Sequence, residues 1–115
     1  MVALNCHDKL ISVRNSLFKF NQGVFSLVTL VNSDMEVYET KFDDNLAISV
    51  THGFSLTNSH LTASSIWVTS SVTSQNDQTS VLAGFFYLTE GSQLNLIGDS
   101  MIQHTSGKIA TAILL

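Results

Sequence analysis

The chain of 115 residues contains no proline, a single cysteine and few charged side chains. An intrachain disulfide is excluded because Cys6 has no partner; an interchain bridge or a reactive thiol is the alternative to a small apolar role. No apolar run approaches the roughly 18 residues that span a bilayer. The N-terminus lacks the charged and apolar regions of a signal peptide, and no Asn-x-Ser/Thr sequon for N-glycosylation is present.

Charge is scarce in this sequence. Charged residues make up 12% of the chain, about half of the usual quarter. The five Lys and Arg form no cluster, which argues against nucleic acid as a partner. Apolar residues make up 44%, so an ordered domain is expected. A surface this poor in charge also suggests that other chains cover part of it.

The pattern along the chain predicts many short strands and no confident helix. The predicted strands are 9–13, 16–20, 23–31, 35–42, 46–56, 60–72, 81–88, 92–98 and 107–115. Asn, Asp, Ser and Gly dominate the segments between them, as in turns. Strands spaced about ten residues apart are typical of an all-β sandwich or barrel. The length predicts one domain, residues 1–115, and we see no repeat of 20–50 residues that would indicate a solenoid.

Three predicted strands are apolar on both faces: "VLAGFFYL", "GVFSLVTLV" and "GKIATAILL". A sandwich strand gives one face to the core, and the other normally meets water. Three strands that are apolar outside as well would expose a patch that soluble monomers rarely tolerate. A partner subunit is therefore expected to cover the second face. By contrast, the charges of "MEVYETKF" are typical of an edge strand.

The order of "LFKFNQGVFSLVTLV", "LAGFFYLTEGSQLNLI" and a terminal "GKIATAILL" resembles the jelly roll of the tumour necrosis factor and C1q-like superfamily. The family's hairpin pattern of Gly and Leu is matched by Gly84, Leu88, Gly91 and Leu94. The resemblance covers residues 16–31 and 80–115, and it extends to 32–79 only by strand count. Two departures are Ser92, where the family usually has Asp, and aliphatic residues in place of aromatic ones near the trimer axis.

The resemblance implies an antiparallel two-sheet jelly-roll sandwich that forms a homotrimer. It places the following residues at the threefold interface: Val28, Val81, Phe85 and Ile109. It further implies an extracellular, cytokine-like ligand that clusters protein receptors of the tumour necrosis factor receptor type. The receptor-binding residues would lie in two loops: Asp43, Asp44 and Asn45, and Gln75, Asn76 and Asp77.

Motifs for catalysis are missing from the sequence, which contains no GxSxG, P-loop, HExxH or CxxC pattern. We therefore expect no enzyme, no cofactor and no metal. Two alternatives stay open: a calcium site in the loops at Asp43 or Asp77, and a His52–His60 pair across a hairpin. Trp67 and Tyr38 are either half-buried or contacts for a partner.

Two other functions fit the same observations. One is a structural, trimeric jelly-roll head, capsid or surface-fibre protein of a virus, phage or spore, which would place the chain on a virion or particle surface. The other is a lectin-like sandwich that binds sugars or apolar ligands.

Overall fold

The regular structure of the described residues consists of fifteen short strands. The computed structural model describes residues 4–7, 10–23, 26–47, 50–69, 85–102 and 113–114, and these contain no helix. The strands follow one another as successive turns of a coil. The first coil holds β1 (Leu4–His7), β2 (Leu10–Arg14), β3 (Leu17–Lys19) and β4 (Gln22–Gly23). The second holds β5 (Val28–Val31), β6 (Asp34–Tyr38), β7 (Lys41–Asp43) and β8 (Leu46–Ala47). The third holds β9 (Phe54–Thr57), β10 (His60–Ser64) and β11 (Trp67–Thr69). The fourth holds β12 (Phe86–Thr89), β13 (Gln93–Ile97) and β14 (Met101–Ile102), and β15 (Ile113–Leu114) begins a fifth.

Corresponding strands of successive coils pair side by side and form, among the described residues, three larger sheets and one two-stranded sheet. Sheet I has the order β1-β5-β9-β12-β15, sheet II β13-β10-β6-β2 and sheet III β14-β11-β7-β3, and β4 pairs with β8. Every described pairing is parallel and in register. A chain that winds through three parallel sheets in turn is a β-solenoid, a parallel β-helix. The prediction of an all-β fold is confirmed.

The predicted antiparallel pairing of a jelly roll is wrong for the described strands. Alternation of apolar and polar residues reports which face of a strand is buried, and it is the same for parallel and antiparallel partners. The sequence pattern therefore could not give strand direction. The prediction that the chain has no repeat of 20–50 residues is also wrong. Leu10 lies beside Asp34, Asp34 beside His60 and His60 beside Gln93, so the repeat lengthens from 24 to 26 to 33 residues and has no fixed period.

The corners of the coil recur at equivalent places. Between sheets II and III, Asn15, Glu39 and Ser65 have φ values of 48°, 49° and 54°. Each donates its backbone N–H to the next coil, for example Glu39 N to Ser64 O at 3.0 Å. Between sheets I and II, Asn32 and Asn58 adopt the same left-handed conformation. Asn tolerates this region better than most residues, which explains why the predicted turn residues do mark the corners.

Serine hydroxyls stack inside the corner between sheets I and II. Ser33 N donates to Ser59 Oγ, and Ser59 N donates to Ser92 Oγ, both at 3.1 Å. Each hydroxyl in turn donates to a carbonyl of its own coil, as Ser59 Oγ does to Thr57 O at 2.8 Å. Ser33 and Ser59 are buried, so this ladder satisfies polar groups that would otherwise be costly to bury.

The core is a set of apolar columns that run along the coil axis. On sheet II, the column contains Ile11, Met35 and Leu61, which are neighbours in register. On sheet III, Phe42 stacks on Phe18 with ring centroids 5.1 Å apart. On sheet I the buried column contains Val28, Phe54 and Phe86. Parallel stacking therefore brings residues that are 24 to 33 positions apart into one core.

Two of the two-sided apolar strands contain a corner, and at each corner two neighbouring apolar side chains are both buried. Phe85 and Phe86 are adjacent in sequence, and both are fully buried. Phe85 lies just before β12, at a corner, where the chain changes direction and two successive side chains can point inwards. Leu27 and Val28 repeat this arrangement, Leu27 just before β5 and Val28 as its first residue. At these two corners the interior of the coil covers both side chains; residues 24–25, 81–84 and 107–112 of the three strands lie outside the described part of the chain.

Gly53 lies at the equivalent corner of the third coil, and replacing it with alanine is expected to be severely destabilising. An added Cβ would lie 2.5 Å from Phe85 O and 2.6 Å from its ring. Such overpacking is expected to lower the free energy of unfolding by about 3 kcal/mol, measured by urea denaturation. Gly91→Ala is the control. A Cβ added at Gly91 has no atom closer than 4.0 Å, so the substitution carries only the strain of a φ of 73°. We expect it to lower the free energy of unfolding by about 1–2 kcal/mol. Equal losses would contradict the packing at Gly53.

Candidate functional site: the outer faces and ends of the coil

The outer face of sheet II carries paired polar side chains in rows along the axis. Asp34 and His60 are neighbours in register, and His60 Nδ1 lies 3.0 Å from Asp34 Oδ1. The guanidinium of Arg14 lies over the ring of Tyr38, 4.4 Å from its centroid. Both pairs join adjacent coils. Because these pairs lie at the surface, each contributes little to the free energy of unfolding.

A second network lies on sheet III around Asp43. Thr69 donates its hydroxyl to Asp43 Oδ1 at 2.7 Å, and Lys19 Nζ lies 3.3 Å from Asp43 Oδ2. The hydrogen bond from Thr69, followed by Lys19, holds the pKa of the Asp43 carboxyl below its usual 3.8. Three coils are thus tied together by one carboxylate.

The most apolar outer row also lies on sheet III. It contains Leu17, Lys41, Trp67 and Met101, one residue from each coil. Leu17 is 60% exposed, Trp67 37% and Met101 43%. We call these four residues the sheet III row. This row carries one exposed aromatic ring, that of Trp67, whose side chain faces outwards.

The predicted receptor-binding residues fall into separate environments. Asp43 lies at the end of β7 with its side chain on the outer surface. Asp44 lies at the following corner, where its φ is 52°. Asn45 is fully buried, so it cannot contact a receptor, and that prediction is wrong. Gln75, Asn76 and Asp77 lie outside the described residues.

Asn45 instead holds two coils together. Its Oδ1 accepts hydrogen bonds from the backbone N–H and the side-chain amide of Asn21, and its Nδ2 donates to Phe18 O at 2.8 Å. Asn45→Ala would leave these groups unpaired, and we expect a loss of about 2 kcal/mol in unfolding free energy, measured by urea denaturation. Gln93→Ala, an exposed position, is the control and should change stability by less than about 0.5 kcal/mol. A loss at Asn45 no larger than at Gln93 would contradict this role.

Two of the four residues predicted for the trimer interface do not reach the surface in this fold. Val28 and Phe85 are both 0% exposed in the core, so their assignment to contacts between copies is wrong. Val81 and Ile109 lie outside the described residues. The assignment came from the family resemblance; in this fold Val28 is an inward-facing residue of β5 and Phe85 lies at a corner with its side chain inside.

Metal binding finds no support in the part of the chain that the structure describes, where no group of three or more His, Cys, Asp or Glu could hold an ion. His52 and His60 do not form a cross-hairpin pair. His52 is fully buried, whereas His60 faces outwards and pairs with Asp34. For Cys6 the structure gives the backbone, which pairs with Leu30.

The two ends of the coil differ from its middle. Inward-facing Ile11, Val13 and Phe18 of the first coil are half-buried, whereas their neighbours in the second coil are at most 2% exposed. In the fourth coil the inward-facing Leu96 is 38% exposed. An open cavity of about 420 Å³ lies beside it and is lined by Leu88, Ser92, Gln93, Leu94, Asn95, Leu96 and Ile113. Among the described residues, inward-facing side chains are thus less buried in the first and fourth coils than in the second.

No known protein family matches the chain, and neither a curated protein nor a solved structure matches it. Among the described residues, no helix is long and apolar enough to cross a membrane.

Proposed function

We propose that the chain is a structural coil segment of a surface fibre, with no catalytic role. One observation carries this proposal: successive coils stack in register along one axis, on three parallel sheets. Among the described strands, each coil pairs only with adjacent coils, as in solenoids that build extended assemblies. Networks that join adjacent coils on the outside, such as Asp43 with Lys19 and Thr69, add to this axial continuity.

A cytokine-like ligand of the tumour necrosis factor type was the first expectation. That proposal depends on an antiparallel jelly roll and on a trimer interface containing Val28 and Phe85. Both residues are core residues and the described strands are parallel, which counts against any jelly roll, whereas a surface fibre requires neither an antiparallel sandwich nor these contacts.

The experiment that tests the proposal is labelling of intact particles or cells from the source with an antibody raised against the purified chain. Labelled fibres or appendages at the external surface, seen by electron microscopy, are the expected result. Labelling confined to permeabilised samples would overturn the proposal. Antibody preabsorbed with the purified chain is the control.

A second candidate function is recognition of a ligand by the sheet III row, and the exposed ring of Trp67 favours it. Aromatic side chains that are partly exposed and held on a rigid sheet are frequent contacts in binding sites. Retention on a panel of immobilised glycans, compared between the unmodified chain and Trp67→Ala, tests this function. Equal retention of both proteins would contradict ligand recognition through Trp67.

A further inference from the structure

The outer face of sheet III brings exposed apolar side chains and lysines together. On each of its strands the alternate residue points into the core, where we find Phe18, Phe42, Val68 and Ile102. Because successive side chains of a strand point to opposite faces, the residues on either side of these four point outwards. Those outward residues form the sheet III face, which consists of Leu17, Lys19, Lys41, Asp43, Trp67, Thr69 and Met101.

The apolar part of this face comes from three coils. Leu17, Trp67 and Met101 are each more than one third exposed. Adjacent strands lie about 4.8 Å apart, so the sheet III row extends over about 14 Å. Phe20 adds a second exposed ring at the edge of the face, since Lys19 Nζ lies 4.7 Å from its centroid and 3.3 Å from Asp43 Oδ2. Apolar side chains grouped in this way mark an interaction surface.

The sheet III face is also the positive side of the described sheets, although the whole chain carries a net charge of −4. It contains two lysines and one aspartate, which leaves one positive charge in excess. The outer face of sheet II contains Arg14 against Asp34 and Glu36, and His60 is neutral at pH 7, so it has one negative charge in excess. The described strands of sheet I contain no Lys, Arg, Asp or Glu.

Lys41 is the cation that is available to a partner. Between described side chains the ion pairs are Lys19 with Asp43 and His60 with Asp34, so no carboxylate neutralises Lys41. In the sheet III row it lies between Leu17 and Trp67. An occupant of this face therefore has to offer apolar contact and negative charge side by side.

The surface of an anionic lipid bilayer offers this combination. Trp is enriched at the boundary between hydrocarbon and headgroups, and Lys can lay its stem on apolar surface while its ammonium stays with polar groups. Binding to a bilayer surface increases with buried apolar area and with attraction to anionic lipids. A sugar site would instead need several placed polar groups, and the side chains of the sheet III row contain no oxygen atom.

We propose that the sheet III face binds the surface of an anionic lipid bilayer. Leu17, Trp67 and Met101 lie at the level of the headgroups, and Lys41 pairs with the negative charge of a lipid. The sheet II face, which carries the excess carboxylate, is kept away from the bilayer. This activity goes beyond the fibre function and does not depend on it.

Tryptophan fluorescence with lipid vesicles is the first test, because Trp67 is the single tryptophan of the chain and so reports on this face alone. With vesicles of phosphatidylserine and phosphatidylcholine we expect a saturable shift of the emission to shorter wavelength, and flotation of the protein with the vesicles. Binding to phosphatidylcholine alone should be at least about fivefold weaker. No emission shift and no flotation with the mixed vesicles overturns the proposal, and so does equal binding to both kinds of vesicle.

A pair of leucine variants tests the apolar contact. Leu17→Ser should weaken binding to both kinds of vesicle by about tenfold, because this side chain no longer contributes apolar area. Leu10→Ser is the matched control, since Leu10 lies in the same coil and is 70% exposed, but on sheet II. It should bind as the unmodified chain does. Equal losses in the two variants would contradict the choice of face.

A pair of charge variants tests the electrostatic contact. Lys41→Gln should weaken binding to the mixed vesicles by about fivefold and leave binding to phosphatidylcholine unchanged. Arg14→Gln removes the same charge from the sheet II face and is the matched control, with binding close to that of the unmodified chain. A loss in Arg14→Gln as large as that in Lys41→Gln shows attraction by total charge and overturns the proposed orientation.

Circular dichroism establishes that all four variants are folded, which is expected because each change lies at an outward position. Soluble glycerophosphoserine should not compete with the vesicles, and competition at similar concentration would show a headgroup site and overturn surface binding. Retention on immobilised glycans without binding to vesicles also overturns the proposal. Antibody labelling of fibres involves no lipid, so a chain that is found on fibres but does not bind vesicles refutes lipid binding alone.

Discussion

Replacing Phe54 with alanine is expected to lower the free energy of unfolding by about 3–5 kcal/mol, the largest effect of any single change considered. Phe54 is 1% exposed, and its ring centroid lies 5.4 Å from that of Phe42, 5.6 Å from Phe85 and 5.7 Å from Phe86. The substitution leaves a cavity among rings from the second, third and fourth coils. Because the coils are stacked, none of them can close this cavity without moving its neighbours.

Chemical denaturation followed by tryptophan fluorescence and circular dichroism measures this effect. Phe20→Ala is the matched control, since it removes the same ring from a site that is 67% exposed. Its cost should be less than about 0.5 kcal/mol. Similar losses for the two variants would show that the aromatic cluster does not form the centre of the core.

Acid is expected to destabilise the fold through His52. Its side chain is fully buried, and burial lowers its pKa from 6.5 to about 4. The unfolded chain therefore binds a proton at higher pH than the folded chain does, and stability falls as pH decreases from about 6.5 towards 4. A shift of this size corresponds to a loss of at most about 3 kcal/mol. The Asp43 carboxyl acts at lower pH, since its pKa lies below 3.8.

Unfolding free energy measured at several pH values between neutrality and pH 4 tests this expectation. In His52→Gln the decline over this range should be much smaller, because glutamine does not titrate. His60→Gln, at an exposed position, is the control and should retain most of the decline. An unchanged pH dependence in His52→Gln would contradict burial of a neutral imidazole at this position.

Strand positions could be predicted from the sequence, but their arrangement could not. "MEVYETKF" was predicted as one strand, and it contains β6 and β7, separated by a corner at Glu39. The corner was missed because a single left-handed residue turns the chain without glycine or proline. The direction of pairing was missed because alternation is the same for both directions.

A signal for the repeat is present in the sequence. "LVNSDM", "LTNSHL" and "LTEGSQL" place a serine just before three of the four strands of sheet II, β6, β10 and β13, and these serines are the ladder of Ser33, Ser59 and Ser92. The repeat was missed because its period changes from coil to coil. Aligning segments on the serine, with free spacing between them, would have revealed it.

The candidate surfaces were harder to predict than the strands. Trp67 could be identified as a possible contact because it is the single tryptophan. The exposure of Leu96 could not be predicted, because Leu96 and the buried Ala63 are neighbours in the same inward-facing column. Position along the coil axis, which the sequence does not display, decides which of them is exposed.

Parallel stacking of the coils is the central claim, and nuclear Overhauser contacts between backbone protons of 34–38 and 60–64 test it most directly. In a parallel pair the contacts follow a constant difference in residue number, here 26, so that Glu36 contacts Thr62 and Tyr38 contacts Ser64. The same rule should hold for Phe54 with Phe86 and Leu56 with Leu88. Contacts that follow a constant sum of residue numbers would show antiparallel pairing and would contradict the solenoid.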